Sequence, residues 1–419
     1  MAEPVTGLVD TAFLKRLDSA EIMNAPGVSV VLLSGMFWVF NFLGIGTQTE
    51  VARTHGSADR SGMRGILGAA LALAAGFGVA LIVITLPAFD MLAGAMGTTG
   101  AARESAGTYL SIRIFGAPAV LVTAVTFGAL RGLHEMKVPL GIAVFTNAIN
   151  LALDPLLIFG AGPVPALGLT GAAIASVVAQ WCGAAVALWV LARRVGLPSS
   201  IDRGRMLGLI RIGGDLFVRT GSLMLFLLLA GRSAARIGDD AGAAHHAIRQ
   251  VWFLTALILD SYASAAQSLV GSFVGQGRVD LARRVARVAA MWGLVTGGVI
   301  TALLLVGEGA FVALLVPGAG AAVVFGPAWI ASAVAQPVNA LSFVTDGVHW
   351  GTGDYRYLRN VMLLATGTMG AVVLAIDVTR PGALTRIWIV TAVWITIRAT
   401  FGMLRVWPGL GRSPLGLRS

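Results

Sequence analysis

The sequence predicts an all-α membrane protein of twelve transmembrane helices in two pseudo-symmetric six-helix lobes. Three observations carry that expectation. The 419-residue chain is 57% hydrophobic and only 12% charged, against about 25% charged in soluble domains. Residues 22–49, 65–89, 155–192 and 309–345 carry no charge at all. About 20 apolar residues cross a bilayer as a helix, and backbone in lipid must satisfy its own hydrogen bonds, so these runs are helices. Finally, NFLGIGTQTEVARTHG, from residue 41, lies over DSYASAAQSLVGSFVG, from residue 260, at an offset of 219, and the same offset carries Gly132 onto Gly351.

In order, the expected spans are 1–17, 26–52, 65–89, 107–130, 138–160, 166–192, 207–231, 242–272, 287–307, 325–350, 358–379 and 386–406. The longest runs hold Gly and Pro midway, at GAGPVP (161–166) and VPGAG (316–320), and read as helix, tight turn, helix. The 54 glycines suit helices packed closely through small residues. Span one is short. Its 17 residues reach about 25 Å at 1.5 Å per residue, below a core of roughly 30 Å, so the first helix is expected to be truncated or its start wrongly assigned. Nineteen of the 30 Lys and Arg fall in loops after even spans or in the tail, and seven after odd spans. The remaining four lie within or at the edge of spans. That bias places both termini in the cytoplasm and explains the net charge of +10 without nucleic acid. The lobes are expected at 1–193 and 207–419, joined by a basic cytoplasmic linker, 194–206.

The single cysteine, Cys182, excludes a disulfide framework or Cys-based metal site and reads as a small packing residue. No Walker A lysine loop is present, and GAGPVPALGLTG is a turn between spans. No enzyme motif and no cofactor are expected, and no secretory signal peptide, since the first run holds Glu3, Pro4 and Asp10.

Charged residues inside spans are costly and mark ion or substrate paths. Glu3, Thr6 and Asp10 fall at i, i+3, i+7 on one helix face, and Asn147, Asn150 and Asp154 repeat that spacing in span five. If the stripes face one another, Asp10 and Asp154 form a buried acidic pair. Desolvation and a like-charged neighbour both favour proton uptake. The same oxygens suit Na+, with Asp10, Asn150 and Asp154 as its ligands and no other metal expected. A structural role for both aspartates is the competing reading. In the second half, Asp260, Ser264 and Gln267 share a face of span eight, with His246 and Gln250 nearer its extracellular end. Asp215 and Arg219 stand i, i+4 and read as a helix ion pair. Asp346 and His349 are either an inner gate or loop anchors.

EPVTGLVDTAF, TNAINLALDPLLIFG with LGLTGAAIAS, AAHHAIRQVWFLTALILDSYASAAQSLVG and FVTDGVHWGTGDYRYLRN together resemble the multidrug and toxic compound extrusion (MATE) family, most closely its DinF-like branch. The resemblance covers essentially the whole chain. It implies two lobes around a central V-shaped cleft and alternating access driven by H+ or Na+. It also implies export of organic cations and amphipathic drugs by a monomer in the cell (inner) membrane. By matching motif, it implies a coupling-ion site at Asp10, Asn150 and Asp154, and an acidic C-lobe position at Asp346. Asp260, Gln267 and His246 complete the candidate C-lobe polar set. A lipid-linked precursor flippase of the same broad superfamily and a non-transporting homologue are the alternatives.

Overall fold

The computed structural model describes residues 29, 32–95, 100–160, 163, 165–196, 202–316, 318–407, 409, 411 and 413–416. Every regular element among them is helical. We number the principal helices α1 (Asn41–Gly56), α2 (Arg60–Ala95), α3 (Gly100–Arg113), α4 (Ala117–Gly132), α5 (Lys137–Phe159), α6 (Gly168–Val195), α7 (Arg203–Ala235), α8 (Asp239–Gly275), α9 (Val279–Val306), α10 (Glu308–Leu315), α11 (Ala319–Val334), α12 (Gln336–Thr352), α13 (Tyr355–Leu374) and α14 (Ala383–Val406). Among the described residues, nine helical spans are long and apolar enough to cross a membrane, and the bent pair α11–α12 makes a tenth. Their outer faces remain apolar: Val83, Leu140 and Leu303 are each about two-thirds exposed, as lipid-facing side chains are. The chain is a multi-pass membrane protein.

Three expected spans are interrupted. Span two breaks at Phe40, between residues 32–39 and α1, where Phe40 packs on Phe42 and Phe77. Span four passes through a 3-10 turn, Ile114–Gly116, before α4. Span ten bends by 45° between α11 and α12. The last two breaks immediately precede Pro118 and Pro337 at helix starts, where proline lacks the N–H that would continue the previous helix. Beside and within the two expected turns, Gly160 and Gly318 take φ 77° and 85°.

The chain divides into two compact units, Met1–Gly213 and Gly214–Ser419, the division falling inside α7. Helix α6 ends at Val195 and α7 starts at Arg203, so helix covers both ends of the expected linker.

The offset of 219 recurs in the packing inside each unit. In the first, α4 packs on α1, α2 and α6; in the second, α12 packs on α8, α9 and α14. Pairs α1–α2, α3–α6 and α5–α6 are matched by α8–α9, α11–α14 and α13–α14. A Cβ on Gly128 would stand 2.3 Å from the Gly44 carbonyl oxygen; one on Gly347 would stand 2.1 Å from that of Ala263. Gly132 meets the Gln48 carbonyl at 2.7 Å, and Gly351 meets that of Gln267 at 2.7 Å. Arg64 Nε donates to the Val195 carbonyl at 2.9 Å, and Arg283 Nε to that of Leu415 at 2.7 Å. A repeated backbone has kept its closest contacts while most side chains changed.

Candidate functional site

The first-unit site is built where α5 crosses α6. Close approach comes from two glycines of α6: a Cβ on Gly183 would meet Thr146 Oγ1 at 2.2 Å, and one on Gly171 the Leu157 carbonyl at 2.3 Å. Between these contacts Asn150, Asp154 and Ser176 are sealed, at 1%, 0% and 0% exposure. Asn150 Nδ2 donates to Asp154 Oδ1 at 3.2 Å and to Ser176 Oγ at 3.4 Å. Asn150 Oδ1 accepts no hydrogen bond among the described residues. Pro155 follows directly and lies inside α5, which deprives the Leu151 carbonyl of its helical donor.

Asn147 stands one turn earlier, half-buried, with its amide donating to the Ala143 carbonyl at 2.8 Å. Nearby in the fold are the joint of α3 and α4, where Ile114 and Gly116 are buried, and two further polar groups. Gln180 of α6 lies against the backbone at Gly116, and Arg113 is 2% exposed beneath Tyr109. Sequence reasoning missed Ser176, Gln180 and Arg113. Ser176 sits in LGLTGAAIAS, among small residues that gave no periodic polar signal. Asp10, Glu3 and Thr6 lie outside the described residues.

The second unit does not bring its four candidates together. Asp260 is exposed, as is His246, which shares a 2.7 Å hydrogen bond with Gln250. Gln267 is buried where α8 meets α12. Asp346, 3% exposed, takes Arg219 of α7 and Arg398 of α14 on the same carboxylate oxygen, the latter at 3.0 Å. Arg219 lies over Trp350 and Arg398 over Trp394, and Trp394 stacks on Phe226 at 4.5 Å. The expected Asp215–Arg219 pair gives way to this arrangement. Asp215 instead pairs with Arg359 at 2.6 Å, because α13 presents a guanidinium to it while Asp346 claims Arg219. The His349 ring is 3.2 Å from the Gly402 carbonyl and 3.9 Å from Asp354, which Arg405 holds at 2.8 Å.

By the offset of 219, Asn150 and Asp154 correspond to Met369 and Val373, and Asp346 and Arg398 to Phe127 and Ala179. The two buried polar centres are therefore not copies of one another. Among the described residues no group of three His, Cys, Asp or Glu side chains has the geometry to hold a metal.

An all-α, multi-pass protein built as an internal repeat, with a buried carboxylate–amide pair in one repeat, is the architecture of a secondary transporter. A family model, MatE, matches residues 1–156 and 217–376, and the chain belongs to that family of transporters. It is 31% identical over 98% of its length to protein DETOXIFICATION 44, chloroplastic, of Arabidopsis thaliana, covering 76% of that protein. It is 28% identical to DNA damage-inducible protein F of Escherichia coli, over 65% of this chain and 60% of that one. Among solved structures, a MATE protein in the bent conformation superposes with a TM-score of 0.89 at 21% identity, covering 99% of this chain and 92% of the other. An outward-facing multidrug resistance MATE transporter superposes with a TM-score of 0.85 at 20% identity, covering 99% and 93%.

Proposed function

We propose that the chain is a secondary multidrug antiporter, exporting organic cations and amphipathic compounds in exchange for H+ or Na+ by alternating access. It would act from the inner membrane with both termini cytoplasmic, as two lobes at 1–193 and 207–419, and its DinF-like placement fits the E. coli relative. The observation that carries this reading is the sealed Asn150–Asp154–Ser176 cluster. A carboxylate at 0% exposure is stable only when its charge is compensated. The Asn150 amide is neutral and supplies no counter-charge. A proton on the carboxylate does, and so does Na+ held by Asp154, the Ser176 hydroxyl and the free Asn150 Oδ1, all oxygen donors. Asp10 would supply the facing acid.

Loading or release of that cation changes the local charge by one unit and so biases which conformation is stable. The flippase alternative calls for several arginines and lysines lining one cavity, whereas Arg219 and Arg398 are both bound to Asp346 and Arg249 is the single ionisable residue of the cavity it lines. The test is ethidium efflux from proteoliposomes. Asp154→Asn and Asn150→Ala are expected to fold, as read by monodisperse elution, and to lose gradient-driven efflux. Full efflux in Asp154→Asn would remove the site from the mechanism.

A further inference from the structure

Within the second unit a cavity lies between α7 and α8. It is open on one side and holds about 860 Å3, within the range of roughly 300–1,000 Å3 typical of sites for drug-sized molecules. Gly221, Met224 and Leu228 of α7 face Arg249, Trp252 and Phe253 of α8 across it. Arg249 is the single ionisable residue in the lining, and no carboxylate pairs with it among the described residues. It is the eleventh residue of α8, about 15 Å from the helix start at 1.5 Å per residue. Its side chain is exposed along that open cavity, and charges that face a cavity within a span mark ligand paths. Around it the walls are aliphatic, thioether and aromatic, which adapt to varied apolar shapes. Gln250, held by His246 at 2.7 Å, adds one amide at the rim.

The shape of the cavity selects a compact ligand over a lipid. Its lining occupies only residues 221–228 and 249–254, about two turns of each helix. The groove between α8 and α9 differs: its walls run along 262–273 and 281–292, about 16 Å of each helix, and suit an extended acyl chain.

We propose that the α7–α8 cavity binds a compact amphipathic organic anion, its apolar body against Met224, Leu228 and Phe253 and its carboxylate or sulfonate on Arg249. Charge-assisted bonds from a guanidinium fork are strong and directional. This goes beyond cation-coupled export and stands independently of it, because binding can be read without transport.

The experiment is calorimetric titration of the full chain in phosphatidylcholine nanodiscs with 2-naphthoate, its neutral analogue 2-naphthamide and the cation 2-naphthylmethylammonium. The naphthoate is expected to bind at least about tenfold more tightly than the other two, roughly the worth of one charge-assisted contact. Arg249→Gln should reduce naphthoate affinity to that of the amide, while Arg249→Lys keeps most of the preference. Gly221→Leu, whose Cβ meets nothing within 4 Å, should fill the cavity and weaken naphthoate and naphthamide together. Equal naphthoate affinity in wild type and Arg249→Gln would overturn the assignment. So would preference for the cation, or displacement of naphthoate when phosphatidylglycerol replaces phosphatidylcholine, which would make the site a lipid headgroup site.

Discussion

Asp346 is the residue on which most of the buried charge in the second unit depends. Two guanidiniums converge on its carboxylate, and all three groups are at most 8% exposed. Removing one partner of such a buried set leaves uncompensated charge and costs about 3–5 kcal/mol. Asp346→Ala is therefore expected to lower stability by that amount in a denaturant titration in detergent. The triple change Arg219→Met, Asp346→Leu, Arg398→Met should recover most of it, since an apolar core of similar volume removes the charges as well. The sequence showed that Arg219 and Asp346 were anomalous but paired Arg219 with Asp215, four residues away, because a tertiary partner 127 positions distant leaves no spacing signal. Asn150 and Asp154 were legible for the opposite reason: both lie on one helix at i, i+4.

Asp59, before α2, tests pH dependence outside the spans. Its carboxylate accepts from the Gly62 N–H at 2.8 Å and the Ser61 hydroxyl at 2.9 Å, and the Gly62 bond leads in holding it below the ordinary value of 3.8. A depressed carboxylate stabilises the fold above its unfolded pKa, and that contribution fades as pH falls through its folded value. Hydrogen exchange at the first amides of α2 should thus be slower in wild type than in Asp59→Ala near pH 6, with the gap closing below about pH 3.8.

At the scale of helices, the seams α1–α4 and α8–α12 are set by backbone contact. Gly128→Ala and Gly347→Ala place a methyl against a carbonyl of the facing helix and should each cost about 1–3 kcal/mol or more as overpacking. Gly367, mid-α13, meets nothing within 4 Å, so Gly367→Ala should stabilise by about 0.5–1 kcal/mol through helix propensity. Thermal unfolding of the three variants separates the two effects, and equal shifts would contradict the seam account. The positions of these helices were partly readable from charge-free runs, since 22–49 and 309–345 reach into α1 and α12. Their breaks were partly readable: GAP at 116–118 and AQP at 335–337 carried the proline signal, whereas the break at Phe40 depends on aromatic packing with Phe77, which sequence periodicity does not report.

Across the whole molecule, one offset organises two units whose buried chemistry has diverged. The first unit seals a carboxylate with an amide and a hydroxyl. The second surrounds one carboxylate with two guanidiniums and carries Arg249 at a cavity. The repeat was legible because close packing preserves glycines at fixed positions, and Gly132 already fell on Gly351. The divergence was less legible, because Arg219, Arg249 and Arg398 acquire their meaning from what surrounds them in space.

In the proposed mechanism, cation movement down its gradient drives export through the Asn150–Asp154 cluster. The most direct measurement is ethidium efflux from proteoliposomes under an imposed pH gradient alone, a Na+ gradient alone, and neither. Efflux is expected to follow one of the two gradients and to vanish when both are collapsed by ionophores. Efflux that continues unchanged after both gradients are dissipated would contradict the account.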